Sequence, residues 1–98
     1  MVATTDIGTL ITRSVKLDSG RAMIAGTRTS VRRVAVLYKQ GASAEEIARR
    51  MSHLNLAQVY AALAYYHANR DEIEADLAAE EAEYDRLSAL HKQPTNQD

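Results

Sequence analysis

The sequence predicts a mainly α fold: a tri-helical, helix-turn-helix-like domain with a short N-terminal β-ribbon and a long C-terminal helix. Three observations carry that prediction. Ile11, Arg13, Val15 and Leu17 alternate with Leu10, Thr12, Ser14 and Lys16, the strand period, and do so only near the N-terminus. Past Ser30 the apolar residues recur at helical spacing, in blocks parted by Gly41 and by Ser52–Asn55. From Arg70 the chain turns acidic and holds neither Gly nor Pro until Pro94.

Residues 1–8 carry no periodic signal and are expected to fray. A strand over Thr9–Leu17 follows, then a turn at Asp18-Ser19-Gly20 and a short return strand over Arg21–Ala25. Gly26 ends the ribbon at a position free to take positive φ. Ser30 is the expected N-cap of a helix to Gln40 that turns Val31, Val34, Ala35 and Tyr38 inward and stops at Gly41. Ser43 and Glu46 form a capping box for a second helix, with Ala44, Ile47, Ala48 and Met51 facing the core. Asn55 and Gln58 pair the same way before a third helix expected to bury Leu56, Val59, Tyr60, Leu63 and Tyr66. Asn69 with Glu72 marks a break and a restart, after which an acidic helix runs to about Leu90. The resulting partition is a disordered N-terminus (1–8), the ribbon plus tri-helical domain (9–69), the acidic helix (70–91) and a disordered tail (92–98).

At 98 residues the chain is sized for one domain, near the lower limit for a self-sufficient core. It has no Cys, Phe or Trp, and its aromatic content is five tyrosines. Oligomerisation is therefore expected, to complete a small core of Leu, Ile, Val, Ala and Tyr. The lack of cysteine fits a cytoplasmic protein and excludes thiolate metal sites and cysteine nucleophiles. The longest apolar run, Val59–Tyr66, is too short to span a bilayer, and no signal sequence is expected at the N-terminus.

Charge is strongly segregated. Arg13 to Lys39 holds seven basic residues against one acid, a surplus of six. Asp71 to Asp98 holds nine acids against Arg86 and Lys92, an excess of seven the other way. The simplest reading gives the front a polyanionic partner and the back a cationic protein partner; the alternative is two solvated faces of opposite sign.

Enzyme chemistry finds no support. His53, His67 and His91 share no ligand spacing, and His67 with Asp71 offers only two ligands. No catalytic residues, metal or cofactor are expected. Nucleic-acid binding is better supported, because phosphate contacts need cations free of acidic partners. Arg49 and Arg50 lie four residues after Glu45 and Glu46, the order that favours helix ion pairs, and read as tied up. Arg13, Lys16, Arg21, Arg28, Arg32, Arg33 and Lys39 have no such local partner and form the expected phosphate footprint. Arg28, following Gly26-Thr27, has a second reading, tying its loop to backbone carbonyls. For base contacts the third helix offers Ala57, Gln58, Ala61, Ala62, Tyr65 and Asn69, with Gln58 suited to adenine. The same alanine-rich face would suit close packing on a partner. A ribbon inserted from two chains, with Thr12, Ser14 and Lys16 toward the bases, is the other open mode.

Met23-Ile-Ala-Gly26-Thr27-Arg28, Gly41 followed by Ser43-Ala-Glu-Glu46-Ile47, His53-Leu54, and Ala61-Ala-Leu63-Ala-Tyr65-Tyr66 closely resemble the bacterial family catalogued as domain of unknown function 433. The similarity spans roughly Ile11 to Leu77. The chain departs from the family pattern at Arg21-Ala22, where a Lys-Pro pair is common, at Thr29, where an apolar residue is usual, and at Ser52, where proline often stands. Members look like VapB-like antitoxins of type II toxin–antitoxin pairs, often encoded beside a PIN-like ribonuclease toxin. The resemblance implies a small homodimer that binds its operator DNA and holds a toxin inactive. On the acidic helix, Ile73, Leu77, Tyr84 and Leu87 form an apolar stripe interrupted by Glu80, and Arg86 stands isolated among acids. The residues alone fit dimer packing and partner binding equally; the resemblance favours toxin binding through Ile73, Leu77, Tyr84, Arg86 and Leu87.

Overall fold

A computed structural model describes residues 4–13 and 20–92, with side chains as far as Leu90. The elements in order are a 3-10 turn Ile7–Leu10, strands β1 (Ile11–Arg13) and β2 (Ala22–Ile24), and helices α1 (Val31–Lys39), α2 (Ala44–Arg50), α3 (Leu56–Ala68) and α4 (Arg70–Lys92). The mainly α architecture with its short ribbon and long final helix is as predicted. Lys16, the expected strand residues Ser14–Leu17, Asp18 and Ser19 of the turn, residues 1–3 of the N-terminus and the tail from Gln93 lie outside the described residues.

The strands pair antiparallel, with Ile11 opposite Ile24 and Arg13 opposite Ala22. Ala22 and Ile24 face the core, while Met23 is only half-buried. The first strand starts later than expected. Asp6 accepts from the Gly8 amide at 3.0 Å and its carbonyl accepts from Thr9 Oγ1 at 2.7 Å, so this stretch closes into a turn instead of extending. Beyond β2, Gly26 adopts φ 76°, and Thr27 closes the loop by donating its hydroxyl to the Ile24 carbonyl at 2.8 Å.

Both capping boxes form. Ser43 Oγ accepts from Glu46 N while Glu46 Oε1 accepts from Ser43 N, and Asn55 with Gln58 repeats the pattern. Ser30 caps α1, and Gly41 leaves it at φ 102°. The core gathers Ile24, Val31, Val34, Ile47, Val59, Ala62, Tyr66 and Ile73 between β2 and the four described helices. Tyr38, Leu56 and Tyr60, expected inside, are exposed, whereas Ala61 and Ala62, expected outside, are buried. The 3-10 turn and β1 pack on α3 and cover a second side of it, so small residues lie where the sequence suggested an open face.

The molecule measures 70 × 30 × 22 Å. Its radius of gyration is 16.6 Å, against about 13 Å for a compact chain of this length, because α4 runs past the body. Among the described residues no helix is long and apolar enough to cross a membrane.

Candidate nucleic-acid interface

The basic front is not a uniform surface. α4 docks along it, and its carboxylates pair with four of the seven residues of the expected footprint. Arg13 Nη1 lies 2.7 Å from Glu72 Oε2, and Lys39 Nζ donates to Glu74 Oε1 at 2.6 Å. Asp76 sits between two arginines, 3.6 Å from Arg21 Nε and 3.4 Å from Arg32 Nη1, while Glu80 approaches Arg32 Nε at 3.4 Å. The expectation that Arg13, Arg21, Arg32 and Lys39 lack acidic partners is corrected: their partners come from a helix distant in sequence, beyond any local window.

Adjacent tyrosines reinforce this docking. The buried Tyr66 donates its hydroxyl to Glu74 Oε2 at 2.5 Å, and Tyr65 donates to Glu72 Oε1 at 3.0 Å while accepting from Arg13. Hydrogen bonds from Lys39 and then Tyr66 hold the Glu74 carboxyl below its ordinary pKa. The same contact, followed by burial, pushes the Tyr66 phenol up. Arg70 lies over the Tyr66 ring, 5.2 Å from its centroid, and Tyr38 and His67 meet that ring at 6.1 and 5.1 Å.

Four other arginines are left open. Arg28, Arg33, Arg49 and Arg50 are exposed, with no side-chain hydrogen bond or ion pair among the described residues. For Arg28 the loop-tying role passes to its neighbour Thr27. For Arg49 and Arg50 the expected helix pairs do not close. Glu46 turns back to accept from the Ser43 amide at 2.9 Å, which lowers its pKa, and Glu45 reaches toward the Tyr60 hydroxyl at 3.5 Å. Lys16 lies outside the described residues.

The residues proposed to read bases are occupied. Gln58 Oε1 accepts from the Asn55 amide at 2.8 Å, and Asn69 Nδ2 donates to the Tyr65 carbonyl at 3.1 Å, closing α3. Tyr65 is engaged with Arg13 and Glu72. The sequence offered no sign of another contact, Thr29 Oγ1 to His53 Nε2 at 2.7 Å, which ties the turn before α1 to the one between α2 and α3. Thr29, a departure from the resembled pattern, thus has a polar partner in this chain.

The stripe on α4 divides likewise. Ile73 is 2% exposed and Leu77 packs against the core, so both attach α4 to its own domain, contrary to the expectation that they face a partner. Tyr84, Leu87 and Leu90 are 69%, 51% and 58% exposed. Arg86 is not isolated; it pairs with Glu83 at 2.6 Å on the same helix. Among the described residues no three or more His, Asp or Glu side chains gather to hold a metal ion.

Neither a curated protein nor a solved structure matches the chain. One family model does, that of a protein of unknown function, DUF433. It covers residues 11–66, from the start of β1 to the buried Tyr66, and leaves α4 outside the matched stretch. By that match over more than half its length, the chain belongs to the DUF433 family.

Proposed function

We propose that this protein is a non-enzymatic, cytoplasmic antitoxin of a type II toxin–antitoxin pair. It acts as a homodimer, neutralises a PIN-like ribonuclease toxin, and binds operator DNA to regulate its own synthesis. The observation that carries the reading is the outer half of α4: an acid-rich helix with Tyr84, Leu87 and Leu90 uncovered, extending past the family-matched body. Exposed apolar side chains among carboxylates suit a surface that a ribonuclease keeps basic for RNA. Arg28, Arg33, Arg49 and Arg50, without an ion pair among the described residues, support the DNA role, since such cations are free to displace counterions from phosphates.

Co-expression with the product of each flanking reading frame tests this. Rescue of growth arrest together with tight co-purification is expected, and Tyr84→Ala with Leu87→Ala should abolish both while leaving the fold intact. A stable chain that neither rescues nor co-purifies with either product would sink the antitoxin reading.

A second reading, a protein-interaction module without DNA binding, draws on an open groove of about 620 Å³ between α3 and the N-terminal turn. Ile7, Ile11, Ala61, Ala64 and Ala68 line it, an apolar strip suited to a partner helix. Retention on random duplex separates the two: steep loss with salt supports phosphate contacts, and no binding at low salt favours the module.

A further inference from the structure

The turn before α1 and the turn after α2 enclose a cleft of about 380 Å³ whose walls carry Arg21, Arg28, Arg32, Arg33 and His53. Among the described residues no carboxylate lines it. Arg28 and Arg33 have no partner among those residues. Arg21 Nε is shut off from solvent and has no hydrogen-bond acceptor among the described residues, the Asp76 oxygen lying 3.6 Å away. Thr29 and Ser30 also line the cleft, which places it at the amino end of α1, where the helix dipole favours an anion and the first turn holds no acid. His53 is held against Thr29 Oγ1, so its ring has a fixed anchor at the rim.

We infer that this cleft is a binding site for a phosphate group. Four arginines lining one space suit a ligand with more acceptor oxygens than a single carboxylate, as the three terminal oxygens of a phosphoryl group or the paired non-bridging oxygens of successive phosphodiesters supply. The group comes either from a nucleic-acid strand or from a free nucleotide or polyphosphate. Asp76 and Glu80, reaching in from α4, are the internal competitors: Asp76 meets Arg21 and Arg32, and Glu80 meets Arg32, two of the cleft's four arginines in all. The site stands or falls independently of the toxin, because all its lining residues belong to the family-matched body.

The full chain is titrated at fixed ionic strength with inorganic pyrophosphate and with a short random duplex, following the His53 ring resonances and binding heat. Saturable binding of at least one probe is expected, with His53 shifted. Arg28→Ala plus Arg33→Ala should weaken it by about tenfold or more, as loss of charge-assisted bonds implies. Arg28→Lys plus Arg33→Lys, which keeps charge and loses the forks, should fall between. Arg86→Ala removes an exposed charge of α4 outside the cleft and should change affinity by less than about twofold, a surface-screening effect. Asp76→Asn should tighten binding. Circular dichroism confirms that each variant is folded. Binding of the duplex alone assigns the phosphate to a nucleic-acid strand, and binding of pyrophosphate alone assigns it to a free phosphate compound. No binding of either probe, or an Arg86→Ala loss equal to that of the cleft variants, overturns the site.

Discussion

The two halves of α4 share a composition and differ in everything else. In the inner half Ile73 is buried, and Glu72, Glu74 and Asp76 each meet a cation or a hydroxyl of the body. In the outer half Glu81 and Asp85 have no ion pair among the described residues, and Tyr84, Leu87 and Leu90 stay uncovered. Glu80, which interrupts the apolar stripe, marks the change: it gives the body an ionic hold on Arg32 where the apolar one ends. An acidic helix therefore has no single meaning. Glu72, Glu74 and Asp76 of its inner half neutralise the chain's own Arg13, Lys39, Arg21 and Arg32, while the exposed large apolar side chains of the helix lie on its outer segment.

The sharpest way to break this comparison is to truncate one apolar residue in each half. Ile73→Ala should cost about 2–5 kcal/mol of unfolding free energy, the range for a buried aliphatic side chain. Leu87→Ala should stay within about 0.5 kcal/mol, as surface substitutions do. Equal losses in urea denaturation would mean that the outer half is covered too.

Acid titration sharpens the comparison at lower amplitude. Glu74 titrates below its ordinary 4.5 in the folded chain, chiefly through its bond from Lys39. Its contribution to stability is thus full above pH 4.5 and is lost as the pH falls through the lowered value. Tyr66 and Lys39 titrate above their ordinary 10.0 and 10.5, so their share is present below pH 10.0 and lost as pH rises through the raised values. Lys39→Met should shrink both limbs of the urea-midpoint profile, and an unchanged acid limb would show that the Lys39–Glu74 contact is not held in solution. The smallest effect is expected at Arg86→Ala, which removes an exposed pair of the outer half and should move the melting temperature by less than about 2 °C.

What the sequence revealed about this molecule follows the range of each interaction. Ser43 with Glu46 and Asn55 with Gln58 are legible because a capping box closes within three residues. Gly26 and Gly41 are legible because their positive φ is a local demand. Arg13 with Glu72, or Arg32 with Glu80, is not, because nothing near an arginine in sequence reports a carboxylate delivered by a later helix. The reading of Arg49 and Arg50 failed for the opposite reason: the nearby acids were visible, but Glu46 had a stronger local claim in its own capping box. The burial of Ala61 followed from a turn at Ile7–Leu10 whose sign, Asp6 two residues before Gly8, was present and unread.

Tyr65 and Tyr66 are neighbours in α3, yet their hydroxyls take hold of Glu72 and Glu74, which project from nearly opposite sides of α4. A rod gripped at two such points cannot roll about its long axis. The compass bearing of Leu87, about 20 Å farther along the helix at 1.5 Å per residue, is set at that grip. A tilt of about 10° there would carry Leu87 sideways by about 3 Å, enough to miss a pocket built to receive it. The two phenols, with the buried Ile73 and the ion pairs of Asp76 and Glu80, thus act as the gunsight of the outer half: they set where it points.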